Sequence, residues 1–141
     1  MGSWNPKWKI GVAVIDAQHQ ELFQRFDTFV EKASDRDRTA AASEARDALA
    51  FLARYVDQHF ADEEQAMAEA GYPGLALHRD MHHTFVQELT ELSERHRLQG
   101  ASPSFLLALA NLFESWLTLH ISHVDQKFGE FLRRQGAGAA R

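Results

Sequence analysis

Apolar residues recur three and four positions apart over four long stretches of the chain, and none of these stretches alternates with period two. A 3.6-residue period marks amphipathic helices, and without alternation no half-buried strand is predicted. The first stretch, about 17–34, carries Leu22, Phe23, Phe26, Phe29, Val30 and Ala33, with Asp16 predicted as its N-cap. The second, about 39–70, carries Ala45, Leu49, Leu52, Tyr55, Val56 and Met67. The third, about 74–98, carries Leu75, Met81, Phe85, Leu89 and Leu92. The fourth, about 103–134, opens with Ser102 as cap and Pro103 in the first turn, and runs from Phe105 to Phe131. Short breaker segments separate them: Ser34 to Arg38, Gly71-Tyr72-Pro73-Gly74 and Gly100-Ala101-Ser102-Pro103. Such connections favour antiparallel neighbours, so the pattern predicts an all-α, up-down-up-down four-helix bundle forming one domain over 1–141. Residues 1–15 hold Trp4, Trp8, Ile10, Val12, Val14 and Ile15 and are predicted as an irregular arm anchored across the bundle. Residues 135–141 are small and polar and are expected to fray.

Composition narrows the chemistry. The 141 residues include 45% hydrophobic and 25% charged side chains, which is globular rather than disordered composition. Cysteine is absent, so disulfide scaffolds, thiol catalysis, Cys-type zinc modules and Cys-ligated clusters are excluded. A net charge of −5 argues against general nucleic-acid binding and reads as a solubility feature. No uncharged apolar run approaches the roughly 20 residues of a membrane span, and no signal-peptide pattern is seen. Pro6 also stands where a myristoylation signal would have Ser or Thr. The expectation is a cytoplasmic protein with no membrane insertion.

The unusual number is eight histidines, and five of them fall on the apolar stripes. His19 precedes Leu22, Phe23 and Phe26 at helical spacing. His59 continues the stripe of Leu49, Leu52 and Tyr55 or Val56, and Glu63 extends it by one turn. His78 and His82 lie between Leu75 and Phe85, and His120 follows Phe113 and Trp116. A single inward histidine is ordinarily a hydrogen-bonded core residue. Five inward imidazoles with an inward carboxylate would each need a buried partner, and the economical shared partner is a metal centre. Imidazole and carboxylate suit iron, zinc, copper or nickel. His59-x-x-x-Glu63 and His78-x-x-x-His82 each place two donors one turn apart on one face. Asp125 follows His120 by five residues, about 140° around a straight helix, so sharing a site would require a local bend or a long bridging reach. His83, His96 and His123 lie off the stripes and read as surface or boundary residues.

These residues resemble the hemerythrin family, in particular its bacterial members. The resemblance is carried by Ile15-Asp16-Ala17-Gln18-His19, by His59-Phe60-Ala61-Asp62-Glu63-Glu64, by Gly71-Tyr72-Pro73 with His78-x-x-x-His82, and by Trp116-Leu117-Thr118-Leu119-His120-Ile121 with Asp125. It spans Trp4 to about Leu132. It implies two non-haem iron ions with a bridging oxo or hydroxo group. His78, His82 and His120 would hold one ion, His19 and His59 the other, and Glu63 and Asp125 would bridge them. Two six-coordinate ions need about twelve positions. Five histidines, two bridging carboxylates and one bridging oxygen leave one position open, on the two-histidine ion, where O2 would enter. Phe23, Phe60, Trp116 and Leu117 fall within about a turn of these donors and are candidate walls of a dry ligand pocket. Gln18, Asp62, Glu64 and backbone carbonyls are candidates to orient the imidazoles.

The function expected is reversible O2 binding without catalysis, for transport, storage, delivery or sensing, with the physiological partner protein open. The alternatives are a di-iron oxidase, peroxidase or nitric-oxide-handling enzyme on the same centre, and a redox-responsive signalling module.

Overall fold

The computed structural model describes residues 4–34 and 36–139; the side chains of 137–139 are not described. Four helical rods form the bundle: α1 (Ala13–Ala33), α2 (Arg38–Ala70), α3 (Leu75–Gln99), and a fourth built from α4 (Pro103–Ser115), a π-helical segment (Trp116–Val124) and α5 (Asp125–Ala139). Contacts run α1 to α2, α2 to α3, α3 to α4 and α4 back to α1, which is the closed square of an up-down-up-down bundle.

Local chemistry sets most of the ends. The Asp37 carboxylate accepts from the Thr39 amide at 2.9 Å and starts α2. Gly71, with φ of 67°, ends α2 in the left-handed conformation, and the Tyr72 amide returns to the Met67 carbonyl at 2.9 Å. Ser102 Oγ accepts from the Phe105 amide at 3.1 Å, with Pro103 in the first turn of α4.

Two boundaries differ from the sequence reading. The first helix begins at Ala13, with Val12 at the N-cap position, so Asp16 lies inside its first turn rather than capping it. Its buried carboxylate reaches backwards and accepts from the amides of Ile10 (2.7 Å) and Gly11 (3.2 Å), fastening the arm to the helix. The irregular arm is correspondingly shorter, contains a 3-10 turn at Pro6–Trp8, and gives Val14 and Ile15 to α1. At the other end the helix runs through Gln135 to Ala139 instead of fraying at 135, and Gln135 Nε2 donates to the Ala70 carbonyl at 2.8 Å. Residues 140 and 141 lie outside the described residues.

Two buried apolar clusters divide the interior. The larger contains Leu22, Phe23, Phe26 and Phe29 of α1, packed against Leu52, Val56, Phe85, Leu109, Phe113 and Leu117. The smaller brings Ile10 of the arm together with Ile15, Met67 and Phe128. The arm crosses α5 closely: a Cβ at Gly129 would lie 3.2 Å from the Ile10 Cα. The inward histidines occupy the layer between the clusters. By length and composition, Pro103–Gly136 is apolar enough to cross a bilayer, but half of its most apolar window is buried inside the bundle. Its apolar residues are those of a core helix.

Candidate metal centre

The inward stripes of all four rods meet in this middle layer. His19 comes from α1, His59 and Glu63 from α2, His78 and His82 from α3, His120 from the π segment, and Asp125 begins α5. All seven are buried, and none is more than 4% exposed. The seven residues expected from sequence are thus brought together, and the spatial grouping is more informative than the stripes. Glu63, His78, His82 and His120 offer donor atoms all within 4.8 Å of one another, and so do His19, His59, Glu63 and Asp125.

The carboxylates join the two groups. Glu63 Oε1 faces the Nε2 atoms of His82 (3.1 Å), His78 (3.3 Å) and His120 (3.8 Å). Its Oε2 faces those of His59 (3.3 Å) and His19 (3.4 Å). Asp125 divides the same way, with Oδ1 toward His78 (2.6 Å) and His120 (3.0 Å), and Oδ2 toward His19 (3.2 Å). Each carboxylate therefore turns one oxygen toward the three-histidine group and the other toward the two-histidine group, Glu63 facing every member and Asp125 facing His78 and His120 on one side and His19 on the other.

Asp125 reaches this layer through the backbone. From Trp116 to Val124 the helix is wound with i→i−5 hydrogen bonds, and the Asp125 amide donates to the His120 carbonyl. Ser122 Oγ and His123 Nδ1 donate in the same five-residue register to the carbonyls of Leu117 and Thr118, both at 2.8 Å. A wider turn puts residues five apart on one face, where a straight α-helix would offset them by about 140°. This is the local bend that the His120–Asp125 spacing left open.

The outer ring nitrogens fix which imidazole atom faces inward. His59 Nδ1 donates to Gln18 Oε1 at 2.8 Å, and Gln18 Nε2 is held by Asp62 Oδ2 at 2.8 Å. His82 Nδ1 donates to Glu64 Oε2 at 2.8 Å, and Glu64 is paired with Arg79 Nε at 3.2 Å. Both imidazoles are left with Nε2 free for the centre. Gln18, Asp62 and Glu64 were all candidates for this role, and the last two are only partly solvated.

Electrostatics show what the cavity wants. Glu44, the other buried glutamate, is compensated by the Arg25 guanidinium. Among the described residues, Glu63 and Asp125 pair only with imidazoles. Burial pulls the His19 pKa down, but the Asp125 and Glu63 carboxylates that face its Nε2 at 3.2 and 3.4 Å outweigh it and lift it to about 9. His78 is lifted in the same way, also to about 9. His120 is raised against its burial chiefly by the charge of Asp125. In His59 burial prevails and the pKa falls. Burial alone would push both carboxylates up, yet the surrounding imidazoles drive Glu63 and Asp125 well below the usual carboxylate range. The carboxylates thus draw positive charge into a dry layer. Meanwhile His19 Nδ1 and Nε2, His59 Nε2, His120 Nε2, Glu63 Oε2 and Asp125 Oδ2 have no hydrogen-bond partner among the described residues. Unsatisfied nitrogen and oxygen donors converging on two buried anions fit divalent cations.

Of the expected wall residues, Phe60 stacks on His82 (3.9 Å between ring centroids, 3° between planes) and Trp116 stacks on His120 (3.7 Å, 11°). Phe23 instead meets Trp8 and Trp4, and Trp4 in turn approaches His19 at 6.4 Å. Leu117 is fully buried in the larger core cluster. Sequence reasoning missed Tyr55, which stacks on His59 at 4.9 Å and donates its hydroxyl to the Gln18 carbonyl at 2.9 Å. Its position one turn before His59 was the available signal. His83 and His123 are exposed and His96 half-buried against Phe105, as expected of residues off the stripes.

A family profile described as the hemerythrin HHE cation binding domain matches residues 10–132. The chain is 32% identical to a bacteriohemerythrin of Stenotrophomonas maltophilia over 90% of this chain and 78% of that protein. It is 30% identical to a myohemerythrin of Riftia pachyptila, covering 89% of this chain and 88% of the relative. A bacteriohemerythrin of Methylococcus capsulatus is also 30% identical, over 86% of this chain and 88% of that protein.

Proposed function

Since the chain belongs to the hemerythrin family, we propose that it binds O2 reversibly at a pair of iron ions held in the middle layer of its bundle. The observation that carries this reading is the division of each buried carboxylate between a three-histidine and a two-histidine group. His78, His82 and His120 would hold one iron, His19 and His59 the other, and Glu63 and Asp125 would span both, with an oxo or hydroxo bridge completing the pair. The ferrous pair supplies a binding place for O2 and the two electrons its reversible binding draws on. The unequal histidine count would leave that place on the α1–α2 side, where His19 and His59 stand. We read residues 1–141 as one such domain, acting in the cytoplasm as a carrier, store, delivery protein or sensor rather than as an enzyme.

The chain's own residues perform four tasks. Gln18 and Glu64 each accept a hydrogen bond from an Nδ1–H and thereby present Nε2 of His59 and His82 inward. Glu63 and Asp125 supply anionic charge that cations neutralise. The π segment sets Asp125 under His120. Phe60, Tyr55 and Trp116 cover the imidazoles with aromatic surface and exclude water. With carboxylates limited to Glu63 and Asp125, the donor set is poorer in anions than ferritin-like sites, which favours binding over O–O cleavage.

Iron content and the visible spectrum through reduction, air exposure and deoxygenation test the proposal. About two irons per chain and an oxygen-dependent band that disappears on deoxygenation are expected. Fewer irons, or a band that never reverses, would sink it.

A further inference from the structure

Between α3 and the fourth rod lies an open groove of about 400 Å3, within the size range of small-molecule sites. Phe85, Leu112 and Trp116 make an apolar floor, and Leu119, 64% exposed, stands at its side. Its charged wall residues are Asp80 and Glu88, both exposed, and no Lys or Arg lines it. Neither carboxylate takes part in an ion pair among the described residues. His120 itself forms part of the lining, with the Trp116 indole lying flat on its imidazole at 3.7 Å. The groove therefore reaches a member of the three-histidine group directly, beside the ring stacked on it.

A ferrous centre that binds O2 is oxidised whenever reduced oxygen, rather than O2, escapes from it. The chain has no cysteine and so no thiol to restore the lost electrons. They must come from outside, and electron transfer falls steeply with distance. The alternative approaches are poorer. Trp4 is 6.4 Å from His19, and the smaller pocket beside His59, about 280 Å3, carries Arg54 in its wall. The groove over Trp116 combines nearness, an aromatic floor that attracts cations, and an acidic rim.

We propose that this groove docks a planar, positively charged one-electron donor, and that electrons enter the centre over Trp116 and His120. The inference rests on the iron reading above. Each donor molecule is oxidised by one electron, two restore a diferric pair to diferrous, and no covalent bond is made or broken in the transfer.

Methyl viologen is the probe. Added as its oxidised dication to the metal-free protein, it is expected to quench tryptophan fluorescence saturably. Trp116→Phe should remove the saturable part while Trp4 and Trp8 still emit. In air-oxidised, iron-loaded protein at low salt, Asp80→Lys with Glu88→Lys should slow reduction by the viologen radical cation about tenfold or more, without slowing reduction by anionic dithionite. High salt should erase the difference. Asp27→Lys with Glu31→Lys on α1, both exposed and carrying the same change in net charge, is the control and should shift the rate far less. Equal slowing by the two pairs, or saturable quenching that survives both Trp116→Phe and the Asp80/Glu88 pair, overturns the proposal. A loaded protein without a reversible oxygen band would defeat the O2 reading instead, and the quenching arm decides the groove independently of iron.

Discussion

On the α3 side of the centre, His82 is backed by the Glu64 carboxylate, itself tied to Arg79. On the α1–α2 side, His59 is backed by the neutral amide of Gln18, and His19 Nδ1 has no hydrogen-bond partner among the described residues. A carboxylate behind an imidazole raises its basicity and fixes its ring, whereas an amide fixes the ring without adding charge. The two halves share donor types and share both carboxylates, yet one is clamped and the other is loosely held. Such a division suits a pair of ions of which one is anchored and the other must take and release a ligand.

The largest test of this comparison removes a donor from the loose half. His59→Ala should lower iron from about two per chain toward one and abolish the oxygen-dependent band, while far-UV circular dichroism remains helical. The larger core cluster meets that ring only at its edge, through Tyr55 and Phe60, and the rest of its packing stays. A full oxygen spectrum in this variant would contradict the assignment of His59 to the ligand-taking ion.

Outer partners offer a smaller, graded test. Chelator removal of iron should proceed in two phases, the faster belonging to the α1–α2 half. Gln18→Ala should quicken the fast phase and Glu64→Ala the slow one, each by about 10- to 100-fold, the usual scale for lost second-layer partners. A single phase, or acceleration of the same phase by both variants, would show that the halves are not held independently.

Much of this could be read from the residues alone, and the omissions have physical reasons. The helices were legible because Leu, Phe and Val stripes at helical spacing must be buried, and Asp37, Gly71, Ser102 and Pro103 sit where helix ends need them. Five histidines on those stripes announced a centre because imidazoles without partners are costly to bury. Asp16 was misread because a carboxylate can serve first-turn amides or reach back to amides before the helix, and only tertiary placement of Ile10 decides. The five-residue spacing of His120 and Asp125 signalled an irregularity but not its form, because no residue type encodes i→i−5 winding. The clamp on His82 was legible only as a candidate, since Glu64 next to Glu63 looks like any solvated neighbour until Arg79 is seen beside it.

Charge sharpens the comparison further. In the metal-free protein, His19 and His78 have pKa values lifted to about 9 and His120 is also raised, against about 6.5 when unfolded. A raised histidine contributes stability that is complete below the unfolded value and is lost as pH climbs through the folded one. The lowered carboxylates contribute stability that is lost in acid, as pH falls through their folded values. His59, lowered by burial, opposes the other histidines and favours the fold at higher pH. The His59 effect falls below about pH 6.5, so from about pH 6.5 to 9 the raised histidines act alone and the metal-free protein should lose stability. Iron-loaded protein, whose imidazoles need no proton, should not. Urea midpoints at both ends of this window, with and without iron, check it; parallel midpoints in the two forms would mean that cations do not replace those protons.

The smallest effect is expected where the backbone is most unusual. A π turn carries one residue more than the α turn it replaces, and that residue lets Asp125 lie five positions after His120 on the same face. Deleting exposed His123 would place the aspartate four positions after His120, which is the same face of an ordinary α-helix. The segment should relax to α winding, giving up the His123 side-chain bond to the Thr118 carbonyl, while Phe128 and the rest of α5 keep their register against Ile10 and Met67. Iron content and the oxygen band should therefore survive a one-residue deletion between two proposed ligands, with stability changed by only about 1 kcal/mol. Deleting a residue between His78 and His82 in α3 has no such compensation, because that helix is already α, and iron should be lost from the clamped half. If both deletions cost iron equally, the π segment does more than hold the aspartate in register.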